Sequence, residues 1–434
     1  MSDEKKSTFD VIIIGSGPAG LGTAFGLLQN TNLKILIIEQ SKMSSGGLRN
    51  DGKQIYGYPI CFNQDNWSKK TADHYLEITK SILKPNILTK KNIEKYHQRI
   101  ARIGRKIKLI EVDQAHIGTD KSAAYINQLI SQLKQNKVSF LFNTQFVSLD
   151  KDKKEITCLQ EKNNNLSKTF HYKHLVVATG RQSMKFLQNL MDEIGVSYTD
   201  NKLDIGIRVE AKAENYPITD DYYDPKIYFP ERVRTFCTNS GFAIVKRDHT
   251  CKYSVNGHAL SKDRGFNGLV NFALLKTIDL TSPITSGREF ADILGKQARG
   301  LSDGKLIMQR VGDFRCKKRS TAETFNDHDF GHNFLPTYQA NPGDIALGPL
   351  KIIQPIWEAL KYLDKIVPGI LHPSTILYYP EIKRYANKPQ FIDEYFKVLP
   401  NIYMIGDGVG TSRGITGAFS SGLRAADGIL NTYE

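Results

Sequence analysis

The sequence predicts an α/β fold: a Rossmann-type dinucleotide-binding domain, split by an inserted α+β region. Three observations predict it. A buried strand runs into Gly15-Ser16-Gly17-Pro18-Ala19-Gly20 near the start of the chain. A second strand ends in a glycine turn at Ala178-Thr179-Gly180, and a third in Gly406-Asp407-Gly408. Residues between the second and third turns have a different texture, rich in Pro, Tyr and Asp turns such as Tyr216-Pro217, Asp224-Pro225 and Phe229-Pro230.

The first element is a run of apolar and β-branched residues, Phe9 to Ile14, the mark of a strand buried on both faces. After the glycine loop the spacing predicts a small-residue helix through Leu28, then a second buried strand from Lys34 to Ile38 closed by Glu39. This is a β-α-β unit carrying Gly-x-Gly-x-x-Gly, with an acid nineteen residues past the last glycine. Gly15 makes the tight turn, Gly17 lets the backbone approach a pyrophosphate, and Gly20 permits close helix–strand packing. The helix N-terminus at Pro18-Ala19 presents unpaired N–H groups to phosphate. Glu39 can accept hydrogen bonds from a ribose diol, and its charge would repel a 2′-phosphate. A helix is expected over Ala123 to Leu133, capped by Thr119 or Asp120. Strands are expected at Ser139–Phe142, Gln145–Leu149, Glu155–Gln160, Thr169–Tyr172 and Leu175–Val177, and finally at 401–405, before a small-residue helix from about Thr416 to Leu430. The resulting division is 1–185 for the first part of the nucleotide domain, 186–395 for an inserted substrate domain, and 396–434 for the closing part.

Composition excludes several classes. Of the 434 residues, 40% are hydrophobic and 24% charged, which rules out disorder as the main state. No apolar run approaches the ~18 residues of a membrane span, and the polar start lacks the core of a secretory signal, so a cytoplasmic location is expected. The five cysteines, at 61, 158, 237, 251 and 316, include no Cys-x-x-Cys pair and fit reduced thiols. The formal charge is +14, and ten Lys or Arg against the single acid Glu94 between Lys80 and Lys108 supply +9 of it. With Ile93, Tyr96, Ile100 and Ile103 at helical spacing, that stretch reads as a solvated helix face, or else as a docking face for an anionic partner.

One nucleotide fingerprint does not choose between NAD and FAD; the two later motifs do. FAD is longer and stays bound, so its site needs contacts beyond the first β-α-β unit. Thr179 and Gly180 would pass the adenosine half, and the Gly406-Asp407 turn would set a carboxylate near the ribityl chain. The helix beginning near Thr416-Gly417-Ala418 could aim its positive end at the pyrimidine edge of the isoalloxazine. Gln40, Gly47, Arg49, His116 and Val147 complete the candidate cofactor residues. No second Gly-x-Gly-x-x-Gly stands in a β-α-β setting, so electrons come from the substrate, from transiently docking NAD(P)H, or from a protein partner.

The three motifs in this order resemble the glutathione-reductase-type FAD-binding fold. More narrowly, the chain is similar to uncharacterised FAD-dependent dehydrogenases of bacteria, with relatives in plants. The similarity rests on Gly46-Gly47 through Asp51-Gly52-Lys53, on 116–121, on Ala178 to Arg181 and on Asp204 to Glu210. Arg234-Thr235-Phe236-Cys237, Val255-Asn256-Gly257, Asn271 to Leu275 and Gln309 to Phe314 extend it, and Gly406 to Gly408 completes it. It implies fold and cofactor but no substrate. The family's frequent Cys-x-Cys after Arg-Thr-Phe is here Cys237-Thr238-Asn239, which removes a dithiol or metal role at that place. The altered spacer Leu48-Arg49-Asn50 leaves the substrate pocket open.

Catalytic residues are not identifiable from the sequence. Candidates for the substrate pocket are Arg49 and Lys53, which could hold an anionic substrate, or else Arg49 grips the pyrophosphate and Lys53 forms a surface salt bridge, with Arg208, Arg234, Asn256 and His258 from the insertion. Arg208 and Glu210 lie two apart on an expected strand and could simply pair. His328 and His332 straddle a glycine in an expected loop, so no metal site is assigned. The sequence thus predicts an FAD-dependent oxidoreductase moving hydride between a small, anionic substrate and flavin N5. Its rivals are a flavoenzyme acting on nucleic acid through the basic stretch, and a non-catalytic protein using FAD structurally.

Overall fold

The computed structural model describes residues 7–44, 52–160, 166–199, 202–248, 251, 253–280, 282–283, 286–326, 334–384 and 387–433. The chain divides into two compact units. One comprises 1–86, 115–201 and 386–434; the other comprises 87–114 and 202–385. The sequence expectation leaves 87–114 with the nucleotide domain. It belongs to the second unit because strand Lys108–Ile110 pairs with Lys226–Phe229, and Tyr96 and Ile100 of helix Glu94–Ile103 enter that unit's core. Helix Met184–Ile194 and the residues to 201 stay with the first unit.

The first unit is built on an eight-stranded sheet. Its main path runs Lys397–Leu399, Ile402–Met404, Leu166–Val177, Ser7–Ile14, Ile35–Ile38, Ser139–Leu141, with Thr144–Asp150 and Glu155–Gln160 attached antiparallel beside Leu166–Val177. From Ile402–Met404 to Ser139–Leu141 every pairing is parallel. A parallel centre requires strands apolar on both faces, and the first strand supplies them. Val11 and Ile13 enter one core cluster while Ile12 and Ile14 enter the other. The two short strands expected at Thr169–Tyr172 and Leu175–Val177 are one continuous strand. Its first half pairs with Glu155–Gln160 and the rest with the centre of the sheet.

Two helices lock over this sheet with almost no side chain between them. A Cβ on Gly22 of helix Pro18–Leu27 would sit 2.2 Å from the carbonyl oxygen of Phe419 in helix Gly414–Leu430, and one on Gly422 would sit 2.1 Å from that of Ala19. The small-residue character of both helices is therefore a packing requirement. The last helix begins at Gly414 rather than near Thr416. Helix Ser122–Gln135 has Lys121 at its N-cap with no side-chain cap, so neither Thr119 nor Asp120 plays that part; Ser122 donates back to the Gly118 carbonyl instead (3.0 Å).

In the second unit a mainly antiparallel eight-stranded sheet has strand Leu203–Lys212 near its middle, between Ile376–Arg384 and Leu269–Ile278. Its residues alternate strictly, as a strand with two different faces must. Leu203, Ile205, Ile207 and Val209 join a core packed by helix Leu350–Ile366, with Ile356, Leu360 and Leu363. Asp204, Arg208 and Glu210 point the other way, yet all three are buried.

Replacing Gly422 by Ala should destabilise the first unit by about 1–3 kcal/mol in urea denaturation, as overpacking against backbone does. Gly300→Ala, where a Cβ meets nothing within 4 Å, should be neutral or stabilising. A second expectation concerns acid. Burial, with Lys397 and Lys154 nearby, pushes the His174 imidazole down from 6.5 to about 4. The unfolded chain then binds a proton that the folded chain refuses, so stability falls as pH drops from about 6.5 towards 4. Denaturation midpoints of His174→Phe should lose that part of the acid slope; an unchanged slope would refute the assignment.

Candidate functional site

The first strand stops at Gly15, whose φ of +103° turns the chain sharply. A Cβ there would lie 2.6 Å from the Ala178 carbonyl oxygen, and one on Gly20 would lie 2.0 Å from that of Gly15. Gly17 is the extended N-cap of the following helix (φ −73°, ψ 179°) with no side-chain cap, and Pro18 opens the first turn. The first backbone bond of that turn is Leu21 N–H to the Gly17 carbonyl (2.9 Å), which leaves the amides of Ala19 and Gly20 without helical acceptors. Glu39, at the end of the neighbouring strand, accepts from the Ser16 amide (3.1 Å), the Ser16 hydroxyl (2.7 Å) and the Ser41 amide (2.9 Å). It fixes the loop, and with about four lone-pair sites its carboxylate retains room for a ribose hydroxyl. Gln40 beside it is exposed, and Val147, 45% exposed, lies at a bulge between Phe146 and Ser148.

The other two glycine turns come to the same place. A Cβ on Gly408 would lie 2.7 Å from the Gly180 carbonyl oxygen, and one on Gly406 would lie 2.9 Å from the Ala19 Cβ. Thr179 keeps its hydroxyl oxygen buried, with no hydrogen-bond partner among the described residues. Asp407 accepts from the Ser412 hydroxyl and the Gly414 amide, both at 2.9 Å, and the Arg181 guanidinium stands 3.6 Å away. Burial raises its carboxyl pKa in spite of those partners.

Beside the start of the last helix lies a segment that no motif marks. Thr416 donates to the Ile55 carbonyl, Arg413 N–H to that of Cys61 (2.8 Å), and Trp67 Nε1 to that of Thr411 (2.8 Å). Gly417 packs against Cys61 so closely that a Cβ would lie 2.1 Å from its carbonyl oxygen. Residues 55–67 thus form one wall at the first turn of that helix. Lys53 is buried just before this wall, and His116 Nδ1 accepts from the Gly118 amide (3.2 Å). Gly47, Arg49, His328 and His332 lie outside the described residues. Among the described residues no cluster of His, Cys, Asp and Glu could hold a metal.

Residues 9–205 match the family model described as pyridine nucleotide-disulphide oxidoreductase. That family binds flavin. The fold is a Rossmann-type FAD-binding fold, the cofactor is FAD, and the chain is an oxidoreductase. No curated protein matches the chain in sequence. Solved structures with a similar course include L-proline dehydrogenase from P. horikoshii, at 11% identity, covering 98% of this chain and 94% of that one, with a TM-score of 0.45. Glycine oxidase from Geobacillus kaustophilus follows at 12%, 98%, 95% and 0.45. The p-nitrophenol 4-monooxygenase PnpA from Pseudomonas putida DLL-E4 stands at 12%, 98%, 80% and 0.42. Among the described residues no helix is long and apolar enough to cross a membrane.

The cradle fits FAD on its own geometry. Three glycine turns meet where added side chains are excluded, the Ala19 and Gly20 amides have no helical acceptor, and among the described residues the buried Thr179 hydroxyl has no partner. The second unit's pocket candidates behave otherwise. Arg208, fully buried, donates twice to Glu381 (2.7 Å each) and once to the Cys237 carbonyl (2.8 Å). It does not pair with Glu210, which accepts from the Tyr378 hydroxyl (2.7 Å) and from Thr337; burial holds that carboxyl above its usual pKa. Arg234 is bound to Asp204 (2.6 Å), Asn256 accepts from Lys383 (3.1 Å), and His258 is buried. Arg208 and Arg234 are therefore committed to carboxylates of their own sheet, which accounts for neither as a substrate anchor.

Glu381→Gln would leave Arg208 and Lys383 buried with half of their carboxylate partners gone. It should cost about 3–5 kcal/mol in chemical denaturation. The double replacement Arg208→Met with Glu381→Leu should recover most of that loss. Equal losses in both variants would show that the pair is not the source.

Proposed function

We propose that this protein is an FAD-dependent dehydrogenase that passes hydride between a small polar substrate and flavin N5. The observation that carries the reading is the meeting of three glycine turns beside the Thr179 hydroxyl, which has no partner among the described residues. When bound, FAD supplies a two-electron acceptor at N5. The chain's part is to hold and orient. The Ala19 and Gly20 amides receive the pyrophosphate, and the helix dipole adds about 0.3–1 kcal/mol to that hold. Glu39 takes the ribose diol, Thr179 the adenosine half, and Asp407 the ribityl chain. The first turn of helix Gly414–Leu430 places its positive end beside the 55–67 wall, where it favours negative charge. The single nucleotide fingerprint supports one resident cofactor, with electrons arriving on a small molecule rather than from a second built-in nucleotide domain. Any preference for an anionic substrate now rests on Arg49 and Lys53, since Arg208 and Arg234 are engaged elsewhere.

The purified protein should carry a visible flavin band, and Gly15→Ala, which drives a Cβ into the Ala178 carbonyl, should lose it. Anaerobic addition of the right substrate should bleach the band with stoichiometric oxidation of that substrate. Failure to hold or take up FAD refutes the reading outright. Bleaching by NAD(P)H alone, followed by oxygen uptake and hydroxylation of an organic substrate, would make the enzyme a monooxygenase instead.

A further inference from the structure

The basic stretch of the sequence has no part in the flavin cradle, and the structure sorts its charges into two groups. Lys80 pairs with Glu77 (2.9 Å), Lys90 with Asp113 (3.5 Å) and Lys95 with Asp221 (2.5 Å). Those cations are answered within the fold. The later ones are not. In the second unit, helices Glu94–Ile103 and Leu350–Ile366 border a cleft of about 640 Å³ lined by Arg99, Arg102, Ile103, Arg105, Tyr362 and Lys365. Four of these six residues are cations and none is an acid. Among the described residues, Arg102, Arg105 and Lys365 make no ion pair.

We propose that this cleft binds a small anion carrying a polyphosphate group. Like charges held around one concavity repel one another, at a cost that an anion of matching charge removes. Arginine forks match phosphate oxygens in bidentate fashion, and three arginines together read more than one phosphate. Helix dipoles explain only part of the arrangement. Arg99 donates to the Ile366 carbonyl (2.9 Å) at the end of the longer helix, and Arg102 and Lys365 sit in last turns, where cations are favourable. Arg105, however, lies beyond the left-handed Gly104 that ends its helix, and it still lines the cleft. The volume lies within the ~300–1,000 Å³ of small-ligand sites. Tyr362 is the one aromatic residue in the lining, so there is no row of stacking platforms for single-stranded nucleic acid. The occupant is therefore a compact molecule, and its site is independent of the flavin reading.

The test uses the full-length flavin-loaded protein and inorganic triphosphate, with binding followed by calorimetry at low and at physiological ionic strength. Saturable one-to-one binding that weakens with salt is expected. Arg102→Glu combined with Lys365→Glu should weaken it by about tenfold or more, and Arg102→Gln with Lys365→Gln should fall between. Both residues of each pair are at the surface, and circular dichroism with the thermal midpoint reports that the second unit keeps its fold. Lys296→Glu with Lys305→Glu changes the net charge equally away from the cleft and should leave affinity within about twofold. No saturable binding, or equal loss in the two charge-reversed proteins, overturns the proposal. So does tighter binding of an oligonucleotide or of phosphatidylserine vesicles through the same residues, which would make the cleft part of a macromolecular surface.

Discussion

Everything in the flavin-binding unit depends on glycines that meet neighbouring backbone, or in one case the Ala19 methyl, at the carboxyl ends of three parallel strands. Gly15 lies against Ala178, Gly408 against Gly180, and Gly406 against Ala19, at separations where no Cβ fits. Close-packed interiors do not yield by half an ångström without shifting neighbours. The contact therefore fixes the heights of three strands relative to each other, and with them the loops that hold the cofactor. The helix pair above the sheet extends the same constraint, because Gly22 meets the Phe419 backbone and Gly422 meets that of Ala19. A ligand bound there gains from this rigidity, since loops already in place lose little entropy on binding.

What could be read from the sequence follows from how local each cause is. A glycine turn after a β-branched run is a local signal, so all three turns and the first β-α-β unit were legible. The 55–67 wall was not, because its bonds reach Gly410, Thr411 and Thr416 some 350 positions away. The same limit misled the reading of Arg208. Spacing offered Glu210 as its partner, but two residues on one strand face stand side by side, whereas Glu381 comes across from the neighbouring strand. The segment 87–114 misled it too: nothing in its composition announces that Lys108–Ile110 adds an edge strand to the other unit.

Net charge proved a coarse guide for a related reason. A formal +14 suggests partners only if the cations are unanswered, and many of them are answered by carboxylates far off in sequence. Lys383 reaches Asp248, Arg208 reaches Glu381, Arg234 reaches Asp204, and Lys95 reaches Asp221. Only when those are removed from the count does the remaining charge acquire a place, at the cleft between Arg102 and Lys365. The informative quantity is unpaired charge per site, which needs coordinates.

The buried face of the second unit's sheet poses the remaining physical question: why a chain would bury ions such as Arg208, Lys383, Glu381 and Asp248 at all. Desolvation of each ion costs several kcal/mol, and well-packed apolar replacements are often as stable or more so. Stability alone therefore does not explain Arg208, Lys383, Glu381 and Asp248. Direction does. Hairpin Phe242–Arg247 and Val255–Leu260 lies over this face, and Gly257 approaches so closely that a Cβ would lie 2.0 Å from Asn271 Oδ1 and 2.7 Å from Arg208 Nη1. An apolar face would let the hairpin slide by a residue pair at little cost. A face of oriented donors and acceptors admits one register, because any other leaves a buried charge unpaired. The alternation of Leu203–Lys212 thus serves two ends: its apolar side supplies the cohesion, and its charged side determines where the hairpin sits.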